Sequence, residues 1–159
     1  MKTLIICISV HHGNTEKIAK EIAGVLNAKL LRPGEVNVSI LSEYDLIGFG
    51  SGIYFQRHHK ASLNLVDKLP DAENKEAFIF STSAVRKVRI FNNFDKALED
   101  RLSQKGFDLI GEFSCRGFDT YGPFKFIGGI SKGRPDGRDL EQARKFARSL
   151  KDKIYYERM

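Results

Sequence analysis

The sequence predicts an α/β fold, a three-layer doubly wound sheet of five parallel strands, and it places residues 1–159 in a single domain. Two observations predict this fold. Short apolar runs alternate with segments of helical period along the chain, and this alternation is typical of a parallel sheet with helices on both faces. The length of 159 residues suits one domain with its own core.

The first predicted strand is the apolar run from Thr3 to Ser9. A helix begins at Thr15, because the apolar residues that follow recur at the i, i+4, i+7 spacing of a helix face that packs on a sheet. The second strand runs from Ala28 to Leu31. The segment from there to Tyr44 is too short for a long helix, and we predict a turn or a single helical turn.

The third strand is predicted from Asp45 to Gly50, and an apolar stripe from Ala61 to Leu69 indicates a helix that ends before Pro70. The run from Ala77 to Ser81 is the fourth strand. These elements continue the alternation of strand and helix, so we expect each new strand to lie parallel to the earlier ones.

The last third of the chain supplies two helices and one strand. A helix is predicted from Val88 to Lys105, with Gly106 as its C-cap. The fifth strand runs from Leu109 to Ser114, and the final helix begins at about Arg138. Between them lies a long glycine-rich stretch, Cys115 to Gly137, and loops of this length in a compact domain are usually functional or mobile.

Ligands of open parallel sheets bind beyond the carboxyl ends of the strands, so the loops after the first, third, fourth and fifth strands are the candidates. The first of these loops leads directly into a helix whose free N–H groups can bind a phosphate. A plain turn with Thr15 as N-cap is the alternative. The loop lacks the Walker and dinucleotide-binding patterns. Its candidate binding residues are Val10, His11, His12, Gly13, Asn14 and Thr15.

The segment Ser9-Val10-His11-His12-Gly13-Asn14-Thr15 resembles the phosphate loop of the flavodoxin family, S/T-x-T-G-N-T. The Gly-Asn-Thr core matches, whereas Val10, His11 and His12 replace hydroxyl residues, so the backbone amides, Asn14 and Thr15 are the expected phosphate ligands. The resemblance implies strand order 2-1-3-4-5 and flavin mononucleotide (FMN) as cofactor.

The resemblance also implies that three further loops contact the flavin ring. The segment after the third strand is similar to the flavin-lining loop of flavodoxin-like quinone reductases, and a serine-rich segment and an aromatic loop follow the next two strands. Core packing for the aromatic residues and simple strand termination for the hydroxyl residues are the alternatives. The candidates are Ser51, Gly52, Ile53, Tyr54 and Phe55, then Ser81, Thr82, Ser83 and Ala84, then Phe118 and Tyr121.

The net charge of +6 is concentrated in the candidate loops. Flavodoxins are acidic at the corresponding edge, so this chain departs from them, and we expect an acidic redox partner. Nucleic acid is not expected, because the basic residues form no dense block and no recognition signature occurs. The basic residues of these loops are Arg57, Lys60, Arg86, Lys87, Arg89, Arg116, Lys125, Lys132 and Arg134, against few acids such as Asp119 and Asp136.

Three functions fit this pattern. A flavin exchanges electrons without protein acids, bases or nucleophiles, so we predict a flavodoxin-type electron carrier with no catalytic side chain. An FMN-dependent NAD(P)H or quinone oxidoreductase is the alternative. A signalling receiver domain is disfavoured, because the ends of the first and third strands carry no carboxylates for magnesium.

The remaining features predict a cytoplasmic protein, a monomer or homodimer without a membrane span. Cys7 and Cys115 are expected to be inert free thiols. The pairs His11-His12 and His58-His59 follow neighbouring strands, yet no carboxylate or thiolate pair completes a metal site. We therefore expect one histidine to assist the phosphate and the others to be solvated.

Overall fold

A computed structural model describes residues 1–10, 12–85, 93–120, 122–157 and 159. The strands are β1 (Thr3–Ile8), β2 (Lys29–Leu31), β3 (Leu46–Tyr54), β4 (Arg57–His58), β5 (Glu76–Ser83) and β6 (Asp108–Arg116). The α-helices are α1 (Asn14–Leu26), α2 (Lys60–Asp67), α3 (Lys96–Gln104) and α4 (Gly137–Glu157). Three 3₁₀ helices are formed by Pro33–Glu35, Val38–Glu43 and Gly122–Ile127.

The strands other than β4 are parallel and lie in the order β2-β1-β3-β5-β6. This is the predicted order 2-1-3-4-5, and the doubly wound fold is confirmed. The addition is β4, a two-residue strand that pairs antiparallel with the end of β3 through Ile53 and Tyr54. The segment before β3 forms two 3₁₀ helices, in line with the predicted turn or single helical turn.

Several of the predicted boundaries were wrong. The helix predicted from Val88 begins at Lys96, because Asn93 to Asp95 form a turn in which Phe94 and Asp95 are buried; residues 86–92 lie outside the described part. Cys115 and Arg116, assigned to the loop, continue β6 in parallel register with β5. The strands β3, β5 and β6 therefore reach two to four residues further toward the carboxyl edge than their apolar runs indicated.

Two hydrophobic layers hold the helices on the sheet. One face packs against α2 and α3 around Phe49, Val66 and Leu98. The other packs against α1 and α4 around Ile18 and Ala143. Both layers consist mainly of fully buried aliphatic and aromatic side chains, whose removal from water is the main favourable term in folding.

Glycines in β3 make room for aromatic side chains of β5. Gly48 lies beside Phe78, and Gly50 lies beside Phe80, in the parallel register of the two strands. A Cβ atom on Gly50 would fall 2.0 Å from the Phe80 ring, and one on Gly48 would fall 2.3 Å from the Phe78 ring. The centre of the sheet is therefore packed too closely for any side chain at these positions.

Candidate functional site

A cleft opens at the carboxyl edge of the sheet, where β1, β3, β5 and β6 end. It contains about 330 Å³ of space, part of it open to solvent. All four loops that the sequence singled out contribute to its wall. The predicted residues that line it are Asn14 and Thr15, then Gly52, Ile53 and Tyr54, then Thr82, Ser83 and Ala84, and finally Phe118. Gly117 and Asp119 line it as well and were not among the candidates.

The other candidates lie around this cleft or behind it. Ser51 and Ser81 are fully buried in β3 and β5 behind the wall. Val10 and Phe55 are exposed. His12 is exposed and Gly13 is half-buried at the start of α1. His11 and Tyr121 lie outside the described residues.

The start of α1 presents backbone amides to the cleft. Gly13 is the N-cap residue and has a left-handed conformation, with φ of +65°, and its N-cap position carries no side-chain cap. The first helical bond described runs from Lys17 N to Gly13 O. Helix geometry leaves the preceding amides without intrahelical acceptors, and such amides attract anions.

Thr15 is not the N-cap that the turn interpretation required. It lies inside the first turn of α1, and its Oγ1 is hydrogen-bonded to Thr82 Oγ1 at 2.7 Å. Both side chains are almost fully buried. This bond ties the first turn of α1 to the end of β5. The amides of α1 therefore have a fixed position relative to the segment around Thr82, which was predicted to contact the flavin ring.

The loop after β6 covers the start of α1. Asn14 Nδ2 donates a hydrogen bond of 2.7 Å to Phe118 O, and Gly117 N donates one of 2.8 Å to Ser83 O. A Cβ atom on Gly117 would fall 2.7 Å from Asn14 Nδ2, so this contact needs glycine. Asn14 is therefore held against the neighbouring loop, and its amide group is buried at the base of the cleft.

The three histidines that the structure describes have different surroundings. His12 packs on the Phe118 ring with 4.5 Å between ring centres, and its Nε2 lies 3.0 Å from Thr120 Oγ1. His59 is the N-cap of α2 and accepts a hydrogen bond from Ala61 N. His58 is only 3% exposed, so the prediction that it is solvated was wrong. Its ring is hydrogen-bonded to the buried Ser51 and Asp95, because the pairing of β4 with β3 turns this residue inward.

A second groove lies on the outer side of Tyr54 and contains about 1160 Å³ of space, part of it open to solvent. Its apolar walls include Val10, 52% exposed, and Phe55, 83% exposed. Phe55 and Gln56 form the β3–β4 turn with φ of +47° and +61°, a conformation that non-glycine residues rarely adopt. The exposed bases Arg57 and Lys60 complete the groove.

The charge around the cleft is more balanced than the sequence indicated. Arg134 forms ion pairs with Asp136, at 3.1 Å, and with the buried Asp139. The backbone N–H of Asp139 is the main cause that lowers the pKa of Asp136, so this carboxylate stays ionised. Arg134 is thereby neutralised within its loop. Arg57 and Arg116 remain exposed, and Arg86, Lys87 and Arg89 lie outside the described residues.

Both cysteines are buried free thiols. The pKa values of Cys7 and Cys115 are raised to about 12, mainly by burial and in smaller part by nearby carboxylates. The reactive thiolate is therefore scarce at neutral pH, which agrees with the inert role predicted for Cys115.

Alkaline pH is expected to destabilise the protein through these two thiols. Their folded pKa of about 12 exceeds the unfolded value of about 8.5. Their contribution to stability is therefore complete below the unfolded pKa and is lost as the pH rises toward the folded pKa. Each thiol lowers the unfolding free energy by about 1.4 kcal/mol per pH unit in this window.

Urea titrations at about pH 8 and about pH 10 measure this loss. The double variant Cys7→Ala, Cys115→Ala should lose less stability over the interval than the unmodified protein. Identical losses in the two proteins would contradict the assignment to the thiols.

A family model described as Flavodoxin domain matches residues 5–115. The chain belongs to the flavodoxin family. The predicted resemblance is thus confirmed. An uncharacterized protein of Methanocaldococcus jannaschii is 49% identical to this flavodoxin-family chain over 150 residues, covering 94% of the chain and 98% of the relative.

Solved structures share the fold. A flavodoxin from the domain Archaea matches with a TM-score of 0.67 at 12% identity, over 98% of this chain and 99% of its own. Flavodoxin 2 from Bacillus cereus matches with 0.70 at 20% identity, over 96% and 99%. Rubredoxin oxygen:oxidoreductase from Desulfovibrio gigas matches with 0.69 at 20% identity, over 96% of this chain and 37% of its own. At these identities the likeness concerns the fold alone.

No helix in the described ranges combines the length and the apolar character needed to cross a membrane.

Proposed function

We propose that this flavodoxin-family protein binds FMN in the cleft and transfers electrons between redox partners. The observation that carries the proposal is the meeting of four loops at one point of the carboxyl edge, with the open amides of α1 at its base. Open α/β sheets bind ligands at this edge, and a helix start binds phosphate.

The residues of the cleft fit the two ends of FMN. The amides at the start of α1 suit the phosphate, because Gly13 and Gly117 keep side chains away from them. The aromatic rings of Tyr54 and Phe118 suit the flat apolar ring. Ser83 Oγ donates its proton to Val85 O and keeps lone pairs that can accept a hydrogen bond from the polar edge of the flavin. When bound, the flavin supplies one- or two-electron chemistry, and the chain binds it, orients it and excludes water.

An FMN-dependent NAD(P)H or quinone oxidoreductase is the second candidate. The groove beside Tyr54 favours it, because its apolar walls and its size suit a small planar acceptor. If the protein is an electron carrier, the same groove would bind a surface of the partner protein, with Arg57 and Lys60 exposed at the contact.

Reconstitution with FMN tests the proposal. We expect a yellow protein of one FMN per chain with the visible spectrum of bound flavin, and binding measured by isothermal titration calorimetry. A colourless protein that takes up no FMN would remove the proposal. A one-electron state that persists during reductive titration favours the carrier. Steady NAD(P)H oxidation with a quinone by the isolated protein favours the enzyme.

An acidic redox partner is expected to react in a salt-dependent manner. The exposed side chains of Arg57 and Lys60 border the groove, and the exposed Arg116 ends β6 at the same carboxyl edge of the sheet. Such charges steer an acidic partner toward them. Raising the salt concentration from about 50 mM to about 500 mM should slow electron transfer to an acidic acceptor protein about tenfold. Stopped-flow kinetics measure the rate, and a rate independent of salt would exclude an acidic partner.

A further inference from the structure

The segment 117–120 after β6 is held against the loop that joins β1 to α1. The His12 ring lies 4.5 Å from the Phe118 ring, with 41° between their planes. Its Nε2 lies 3.0 Å from Thr120 Oγ1, and Asn14 Nδ2 donates to Phe118 O. The hydrogen-bonded residues are 108 and 104 positions apart in the chain, so the tertiary structure brings the two segments together at the rim of the cleft.

Backbone hydrogen bonds fix the same segment on its other sides. Phe118 N donates to Arg134 O at 2.9 Å, and Asp119 and Ile130 exchange two bonds of 3.1 and 2.9 Å. These bonds hold the main chain of the segment and leave the side chain of Phe118 to its own contacts. His12 supplies one of these contacts and thereby restrains the ring.

The backbone of His12 has an uncommon conformation. Its φ is +54°, and Gly13 follows with +65°. Histidine and asparagine adopt the left-handed region more readily than most residues with a side chain. The two left-handed residues end the loop directly before α1, and the side chain of His12 lies on the segment after β6.

The contacts of His12 do not depend on its charge. A threonine hydroxyl donates or accepts, so Thr120 can bond to Nε2 whether or not this nitrogen carries a proton. The packing of the imidazole on Phe118 requires no charge either. The two segments are therefore joined by shape and position at any protonation state of the ring.

Phe118 is the residue through which these contacts reach the cleft. It is half-buried and lines the cleft together with Gly117 and Asp119. We propose that His12 is a positioning residue that holds the Phe118 ring in the cleft wall, where the ring contacts the flavin. The effect on flavin binding rests on the proposed function, whereas the contact between the two segments does not. His12 thus acts on the ring end of the cofactor, although it precedes the amides proposed for the phosphate.

Hydrogen exchange of the cofactor-free protein tests the contact itself. His12→Asn keeps a residue that tolerates the left-handed backbone and removes the imidazole. We expect the amides of Phe118 and Asp119 to exchange about fivefold faster in this variant, with the amides of α4 as the internal reference. NMR measures these rates, and unchanged exchange of both amides would overturn the inference.

The affinities for FMN and riboflavin test the positioning role. If His12 acts through Phe118, His12→Asn should weaken the binding of both flavins by the same factor, about tenfold for a lost ring contact and a lost hydrogen bond. If His12 instead assisted the phosphate, only FMN would bind more weakly. That result would overturn the inference, and so would unchanged affinities for both flavins.

Thr120 offers a second, independent substitution. Thr120→Val removes the hydroxyl group at nearly constant volume, and it should weaken both flavins about threefold. Thr120→Ser keeps the hydroxyl group and should bind both flavins more tightly than Thr120→Val. Combined with His12→Asn, Thr120→Val should add little further loss, because the bond between them is already broken. Independent, additive losses would contradict the pairing.

Lys125→Gln is the matched control within the same loop. Lys125 is exposed, and its ammonium group lies over the Phe126 ring at 5.1 Å, so the substitution removes a ring contact away from Phe118. Because riboflavin carries no phosphate, its affinity should stay unchanged, and a loss equal to that of His12→Asn would overturn the inference. If His12→Asn does not fold, the two Thr120 variants decide the question. If no variant and no unmodified protein binds flavin, the proposed function fails, and hydrogen exchange still decides whether His12 holds the segment.

Discussion

Gly50→Ala is expected to lower the free energy of unfolding by about 3 kcal/mol, the upper range for overpacking a rigid core. The new methyl group would lie 2.0, 2.2 and 2.5 Å from three atoms of the Phe80 ring. Phe80 is fully buried and packs on Phe78 with 6.1 Å between ring centres. The ring cannot withdraw without displacing its neighbours, because protein interiors are close-packed. Urea denaturation followed by circular dichroism measures the loss.

Gly24→Ala is the matched control for this substitution. Gly24 lies in the middle of α1, is exposed, and has no atom within 4 Å of its added Cβ. Alanine there should raise stability by up to about 1 kcal/mol, because glycine is a poor helix former. Adding Phe80→Leu to Gly50→Ala should recover part of the lost stability, because the smaller leucine leaves room for the new methyl group. A Gly50→Ala protein as stable as the unmodified one would contradict the packing argument.

The order of the sheet could be predicted because each long strand leaves a local signal. Apolar runs bounded by polar or glycine residues identify buried strands, and right-handed crossover rules limit how they connect. The short strand β4 leaves no such signal. Arg57 and His58 show no periodic pattern. Their pairing depends on a tight turn at Phe55 and Gln56, and such turns normally contain glycine or asparagine.

The positions of the cleft loops could be predicted for a similar reason. Parallel strands end at the same edge, so the residues after each strand must meet there. The sequence could not predict which of these residues are buried and which face the cleft. β3 and β5 continue past their predicted ends, and successive strand residues point to opposite faces. Ser51 and Ser81 are therefore buried while Gly52 and Thr82 line the cleft.

The partner of His58 could not have been found from the sequence. Asp95 is 37 residues away along the chain, and it falls within the helix predicted from Val88 to Lys105. Its position is set by the turn that precedes α3, and this turn depends on the burial of Phe94. Long-range polar contacts of this kind follow from tertiary packing, and a single sequence contains no local pattern for them.

Asn14→Asp is expected to weaken FMN binding about a hundredfold or more, because it puts a carboxylate beside the proposed phosphate position. Asn14 is 8% exposed and lines the cleft in the first turn of α1. The substitution keeps the size of the side chain and replaces the amide that donates to Phe118 O. A carboxylate in the first turn favours the helix, so the cofactor-free protein should remain folded. Isothermal titration calorimetry measures the affinity.

Riboflavin separates charge repulsion from structural disturbance, because it has the same ring as FMN without the phosphate. Its affinity should change much less than that of FMN in Asn14→Asp. Asn27→Asp adds the same charge at the C-cap of α1, about 20 Å away along the helix, and should leave FMN binding unchanged. If Asn14→Asp lowered the affinities for riboflavin and FMN equally, the phosphate would not lie at the start of α1, and the cleft would need a different ligand orientation.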